Sequence, residues 1–289
     1  MTRPRIGTVF LPTWAPEQLK PVARAAESAG LDDLWIWEDC FKESGPATAA
    51  AALAFTETIT VGIGLMPAPL RNVATAAMEI ATLERLFPGR FIPVVGHGVQ
   101  DWMGQIGGRA ESPMSLLREY AVALRRLLDG ETVTVDGRYV HLDAVSLQWP
   151  SPEPSRLLLG GEGPKTLALA AELGDGTMFT SALVEQQISD NAALVLAATS
   201  GRPHQILAHL MVTRGDDARR LLDAELHEWG RTSADAGIAA ADPQEVADAI
   251  DRLAALGVTT VVVHAVTAEP DPVGFTTWIG REVAPRVSA

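Results

Sequence analysis

Apolar positions along the chain follow two alternating patterns. Short β-branched or leucine-rich runs without clean alternation occur at 6–10, 34–37, 59–65, 91–95, 156–159, 177–180, 206–212 and 259–264. Unbroken runs of this length are expected of parallel strands covered by helices on the outside. Between them the apolar residues recur every three to four positions, the spacing of an amphipathic helix. Asn72 is placed to cap a helix with Val73, Ala76, Ala77, Ile80, Leu83 and Phe87 on its apolar face, and Pro88-Gly89 ends it. Ser112-Pro113 opens a second helix, with Leu116, Leu117, Tyr120, Leu124 and Leu127 at the same spacing, and Gly130 stops it. Asp242-Pro243-Gln244-Glu245 reads as a capping box, Asp242 accepting from the amide of Glu245. Eight such βα units without a linker predict a (β/α)8 TIM barrel forming a single domain over residues 1–289.

Two stretches break the repeat. Residues 131–147 hold two short alternating runs around Asp136-Gly137, a dipeptide that favours a two-residue turn, and predict a β-hairpin insertion outside the barrel. Residues 96–112 are polar and long for a βα loop, and such loops in compact domains are usually functional.

Composition narrows the partners. The net charge of −13 excludes a phosphate backbone or an anionic membrane surface, because either demands a basic face. Cys40 is the single cysteine, so no intrachain disulfide can form, and there is no stretch of eighteen uninterrupted apolar residues. These features predict a soluble, cytoplasmic protein.

In a parallel barrel the chemistry sits at the C-terminal ends of the strands. Read off those ends, the candidates are Trp14, Trp37, Glu38 and Asp39, then 64–72, then His97 to Trp102, then Gly160 to Lys165, and Thr180, Ser181 and His264. At 96–101 a buried run breaks into Gly96, His97, Gly98, Gln100 and Asp101; His97 either caps its strand or faces a ligand. Gly62 and Gly64 interrupt an Ile/Val/Leu strand, which predicts either a bulge against a planar ring or a structural bend. Gly160-Gly161-Glu162-Gly163-Pro164 follows a strand and opens a helix. Free amides there suit a phosphate, although the same glycines would also serve an ordinary turn. No G-x-S-x-G elbow is present, and neither H-x-H nor H-E-x-x-H occurs, so neither a serine hydrolase nor a metal site is expected.

In order along the chain, GLDDLWIWEDCF, VGIGLMPAPLRN with TLERLFPGRF, VVGHGVQDW, VTVDGRYVHLD, LLLGGEGPKTLALAAELGDG and DPQEVADAIDRLAALGVTTVVV resemble the luciferase-like monooxygenase superfamily. The closest likeness is to the branch that uses coenzyme F420. The resemblance implies hydride transfer with a small organic substrate on F420, the alternatives being an FMNH2-dependent monooxygenase with FMN as cofactor or a cofactor-binding barrel without turnover. It also implies a homodimer, for which the small apolar face from Ala47 to Leu53 is the candidate seam. By resemblance Glu38, Asp39 and His97 are the catalytic candidates. Ile63, Gly64, Gly96, Gly98, Gly160, Gly161, Glu162, Gly163 and Pro164 are the cofactor-binding candidates, with a non-prolyl cis peptide near Ile63-Gly64. Relatives carry a histidine where Asp39 stands, and sugar-phosphate-oxidising relatives carry a glutamate where Val99 stands.

Overall fold

The computed structural model describes residues 3–231, 236–240 and 242–288. In chain order the elements are β1 (Arg5–Phe10), α1 (Leu19–Ser28), β2 (Asp33–Ile36), α2 (Gly45–Phe55), β3 (Thr60–Pro67), α3 (Val73–Leu86), β4 (Phe91–Gly96), α4 (Gln100–Gln105), α5 (Pro113–Leu128), β5 (Val133–Asp136), β6 (His141–Val145), β7 (Leu158–Gly160), α6 (Pro164–Leu173), β8 (Gly176–Met178), α7 (Glu185–Thr199), β9 (Gln205–Arg214), α8 (Ala218–Glu228), β10 (Gly237–Ala240), α9 (Pro243–Ala255), β11 (Thr260–His264) and α10 (Pro272–Trp278). Strands β1, β2, β3, β4, β7, β8, β9 and β11 pair in that order, all parallel, and β11 returns to β1. The result is a closed (β/α)8 barrel, and all eight apolar runs became its staves.

The helices bury the faces that their spacing predicts. In α3 the buried side chains are Val73, Ala76, Ala77, Ile80, Ala81 and Leu83, and a fully buried Ile or Leu contributes about 1.5–3 kcal/mol. Asn72 caps this helix by accepting from the Ala74 amide at 2.8 Å. Inside the barrel the Trp35 indole lies so close over the neighbouring strands that a Cβ on Gly62 would meet it at 2.3 Å and one on Gly7 at 3.0 Å. Gly62 is therefore held small by packing against Trp35, which neither of its two readings named. The bulge falls one step later, where the β3–β4 register shifts between Ile63 and Met66.

Four local expectations are corrected. The hairpin β5–β6 turns through 137–140 rather than at a two-residue Asp136-Gly137 turn, with the Gly137 amide donating to the Val140 carbonyl. The carboxylate of Glu119 on α5 accepts from the amides of Arg138, Tyr139 and Val140, which stabilises the wider loop. The polar segment 96–112 contains the short helix α4. Asp242 caps α9 through the Gln244 amide at 2.8 Å, one residue earlier than a capping box would place it. The strand-like run at 34–37 ends at Ile36, so Trp37, Glu38 and Asp39 lie beyond β2, where strand alternation no longer decides which way they point. Among the described residues no helix is long and apolar enough to cross a membrane.

Candidate active site

A cavity of about 990 Å³ opens at the C-terminal ends of the strands. The glycine loop after β7 forms one wall. Gly163 is the N-cap of α6, Pro164 occupies its first turn, and no side chain caps the helix. The Gly161 amide donates to the Met178 carbonyl at 3.2 Å, whereas the amides of Glu162, Gly163 and Lys165 have no backbone partner among the described residues. Nothing stands within 4 Å of where a Gly163 Cβ would be, so the approach to these donors is open. The Glu162 carboxylate accepts from the Thr180 hydroxyl at 2.6 Å and pairs with Arg231 at 3.3 Å. Free amides at a helix start and an open glycine cradle fit a phosphate. Pro164 is solvent-exposed at the helix start and does not line the cavity, because a proline there shapes the turn without offering a donor.

Glu38 and Asp39 both line the cavity, but their surroundings differ. Glu38, 6% exposed, accepts from the Gly45 amide at 2.9 Å and from Arg71 Nη1 at 2.8 Å, and its Oε1 also takes Arg71 Nη2. Arg71 in turn reaches Glu79 at 3.2 Å. Glu38 is therefore already engaged on the protein side. Asp39 is the freer acid: burial pushes its carboxyl above the ordinary range, and the nearby Lys42 cation only partly opposes this. Of the two acids it is Asp39 whose carboxyl is raised by burial.

His97 Nε2 lies 3.1 Å from the Thr166 hydroxyl on α6, which ties the loop after β4 to the glycine loop. Burial holds this imidazole below its ordinary pKa. Gly98 lines the cavity with φ +67°, a conformation that favours glycine. Gly96 and Ile63 do not line it. The Gly96 Cβ position is filled by Leu65, whose Cδ2 would be 2.5 Å away, and Ile63 is fully buried with its Cγ2 within 3.0 Å of the Gly45 Cβ position. The cis peptide is at Gly64–Leu65, one bond beyond the expected site, and a second non-prolyl cis bond joins Cys40 and Phe41. Gln100 lines the cavity, whereas Asp101 turns outward to pair with Arg109 at 2.8 Å. Trp37 and Trp102 are walls; Trp14 is not, being packed edge-on against Phe10.

In the next group Trp37, Ser181 and His264 were strand-end candidates in the sequence, whereas His209 and Trp229 were not. His209, in the middle of β9, is 5% exposed; its Nδ1–H donates to the Phe179 carbonyl at 2.9 Å, and its Nε2 has no partner among the described residues. Burial lowers its pKa to about 4, so the imidazole is neutral and the Nε2 lone pair is an acceptor. His264, brought down to about 3 by burial and then by His209, donates from Nδ1 to the Ala265 carbonyl and accepts the Ser181 hydroxyl at Nε2, 2.5 Å away. Trp37 packs edge-on against both histidines, with ring centroids at 5.5 and 5.0 Å, and Trp229 stacks on His264.

The model of the luciferase-like monooxygenase family matches residues 7–232. A 5,10-methylenetetrahydromethanopterin reductase of Methanolobus tindarius is 29% identical over 175 residues, 61% of this chain and 53% of that one. An F420-dependent glucose-6-phosphate dehydrogenase of Beutenbergia cavernae is 27% identical over 263 residues, 83% of this chain and 77% of that one. The chain thus spans about half the length of the methanopterin reductase it matches. Among solved structures, an F420-dependent secondary alcohol dehydrogenase in complex with an F420–acetone adduct superimposes with a TM-score of 0.88 at 21% identity, covering 100% of both chains. At that identity the superposition shows a shared fold.

Proposed function

This chain belongs to the luciferase-like monooxygenase family, and from that membership we propose that it is an F420-dependent oxidoreductase moving a hydride to or from a small organic substrate. The observation that carries this reading is the convergence, on one cavity, of the open amides of Glu162 and Gly163 with the bulged segment at Gly64. When bound, the deazaflavin supplies a ring carbon that accepts or gives up the hydride. The chain's own contribution is to bind and orient. The glycine-loop amides hold the phosphate, His97 braces that loop through Thr166, and Arg71 with Gly45 fixes Glu38. Asp39, its carboxyl pKa raised by burial, is the acid suited to exchange a proton at the cavity wall.

Absorption titrations of the purified protein with F420 and with FMN, run separately, test the cofactor. F420 is expected to bind more tightly; tight FMN binding with none for F420 would make the FMN monooxygenase the better reading. Gly163→Val is the clean probe of the loop. Its φ of −76° and ψ of 149° suit any residue, and no atom within 4 Å opposes a Cβ, so the fold should stand while cofactor affinity falls about tenfold or more. A Cβ on Gly161 would instead strike Thr166 Cγ2 at 2.4 Å, which would confuse folding with binding. Asp39→Asn is expected to lower turnover about a hundredfold with cofactor affinity unchanged, the range of a lost general acid or base; normal turnover would remove Asp39 from the mechanism.

The assembly we read as a homodimer joined through α2. Ala49, Ala52 and Leu53 of the expected seam are buried in their own barrel, which leaves the outward face of Ala47, Ala50, Ala51 and Ala54. A monomer by light scattering at working concentration would rule this out.

A further inference from the structure

We propose that Glu162 is a specificity determinant of the glycine loop: its carboxylate, only partly neutralised by Arg231, shifts the loop's preference away from a doubly charged phosphomonoester and toward a singly charged phosphodiester. This deepens the cofactor reading and rests on the glycine loop being the phosphate site.

The chain plants an acid in the middle of a loop otherwise suited to an anion. Open amides at a helix start attract negative charge, and a carboxylate beside them opposes it. Glu162 carries both groups. Its amide has no backbone partner among the described residues, and the residue lines the cavity. Covalent geometry keeps the carboxylate within about 6 Å of its own amide. An anion on that amide therefore feels the carboxylate across a gap comparable with the screening length, about 8 Å at physiological salt.

The compensation is incomplete. The Thr180 hydroxyl donates to Oε1 at 2.6 Å and Arg231 Nη2 reaches the same oxygen at 3.3 Å, whereas Oε2 has no hydrogen-bond or ion-pair partner among the described residues. With side chains 55% and 32% exposed, Glu162 and Arg231 form a loose pair open to water. No second cation on the cavity wall helps: Lys42 follows β2 and sits beside Asp39, and Lys165 does not line the cavity. Repulsion from Glu162 grows with the charge on the phosphate. A phosphomonoester carries about 1.5–2 negative charges near pH 7 and a phosphodiester a single one. FMN ends in a monoester, whereas F420 carries a diester, so Glu162 biases the cavity toward F420 by charge alone.

Phenyl phosphate and methyl phenyl phosphate are the monoester and diester probes, titrated at neutral pH and low salt and followed at the Gly161 and Gly163 amide resonances. F420 and FMN are titrated separately by absorption. Glu162→Gln keeps an acceptor for Thr180 and removes the charge. At about threefold per phosphate charge, it should tighten the monoester about tenfold and the diester about threefold, an effect that fades at high salt. Arg231→Met should weaken both, the monoester more, and adding Glu162→Gln should bring the ratio back near the native one. A native monoester-to-diester ratio in folded Glu162→Gln, or a change indifferent to salt, would overturn the assignment, as would the absence of any shift at these amides with either probe. Cofactor binding with an unchanged ratio would leave the oxidoreductase reading standing without this determinant. A changed ratio without binding of either cofactor would do the reverse.

Discussion

Arg71→Met is expected to cost about 3–5 kcal/mol of folding stability, the usual consequence of stranding a buried charge. The side chains of Arg71 and Glu38 are 12% and 4% exposed, and Arg71 closes a two-pronged pair on Glu38 while also reaching Glu79. Methionine fills much of the volume but leaves Glu38 with the Gly45 amide as its single described partner. A domain of ordinary stability has about 5–15 kcal/mol in all, so the loss is a large part of the whole. The paired change Glu38→Gln with Arg71→Met should recover much of it, since the deeply buried Glu38 charge is then gone and only the more exposed Glu79 loses its cation. Urea denaturation of the two variants beside the native chain measures this, and a loss below about 1 kcal/mol for Arg71→Met would contradict the picture of a tightly coupled buried pair.

Acidification from pH 7 to pH 5 is expected to remove about 3–4 kcal/mol through His209 and His264 together. In the folded chain their pKa values lie at about 4 and about 3, below the ordinary 6.5. The unfolded chain therefore takes up two protons below pH 6.5 that the native state refuses until about pH 4. Stability from this source is full above pH 6.5 and declines as the pH falls toward 4. Asp33 and Glu84, whose carboxyls are raised by burial, act in the opposite sense, so the total slope mixes both. Comparison with His209→Phe isolates the histidine contribution: the variant should lose about half of the histidine-driven pH dependence of the denaturation midpoint. An unchanged dependence would mean that His209 is protonated, or reached by water, in the folded state.

The frame of the molecule was legible because burial on both faces leaves a strong local mark: eight apolar runs became eight staves, and Asn72, Ser112 and Asp242 capped the helices that they precede. β10 was missed because Gly237–Ala240 is a short, small-residue strand with little hydrophobic signal. Which residues reach the cavity was legible at the strand ends, where the glycine loop, Trp37, Asp39, His97, Trp102 and Ser181 all line it, because a parallel barrel opens there. Glu38 looked like a free acid because its partner Arg71 lies 33 residues away. His209 looked like one polar residue in a core strand, since nothing local marks which imidazole nitrogen lacks a partner. Trp229 and Arg231 follow a helix packed outside the barrel and reach the cavity through tertiary folding alone.

Leu65 has a consequence for how this cavity can change over generations. Its Cδ2 methyl occupies the place of a Cβ on Gly96 at 2.5 Å and on Gly160 at 2.8 Å, so one side chain holds two positions on different strands at glycine. The constraint is not symmetrical. Were Leu65 to shrink, the other atoms near a Gly160 Cβ would stand at 3.4 and 3.7 Å, and alanine would fit. Gly96 would stay blocked by the Gly160 carbonyl at 2.9 Å. Descendants of this sequence can thus reach alanine at 160 by first losing bulk at 65, whereas the opposite order passes through a clash; lineages sampling this wall should record that sequence of events.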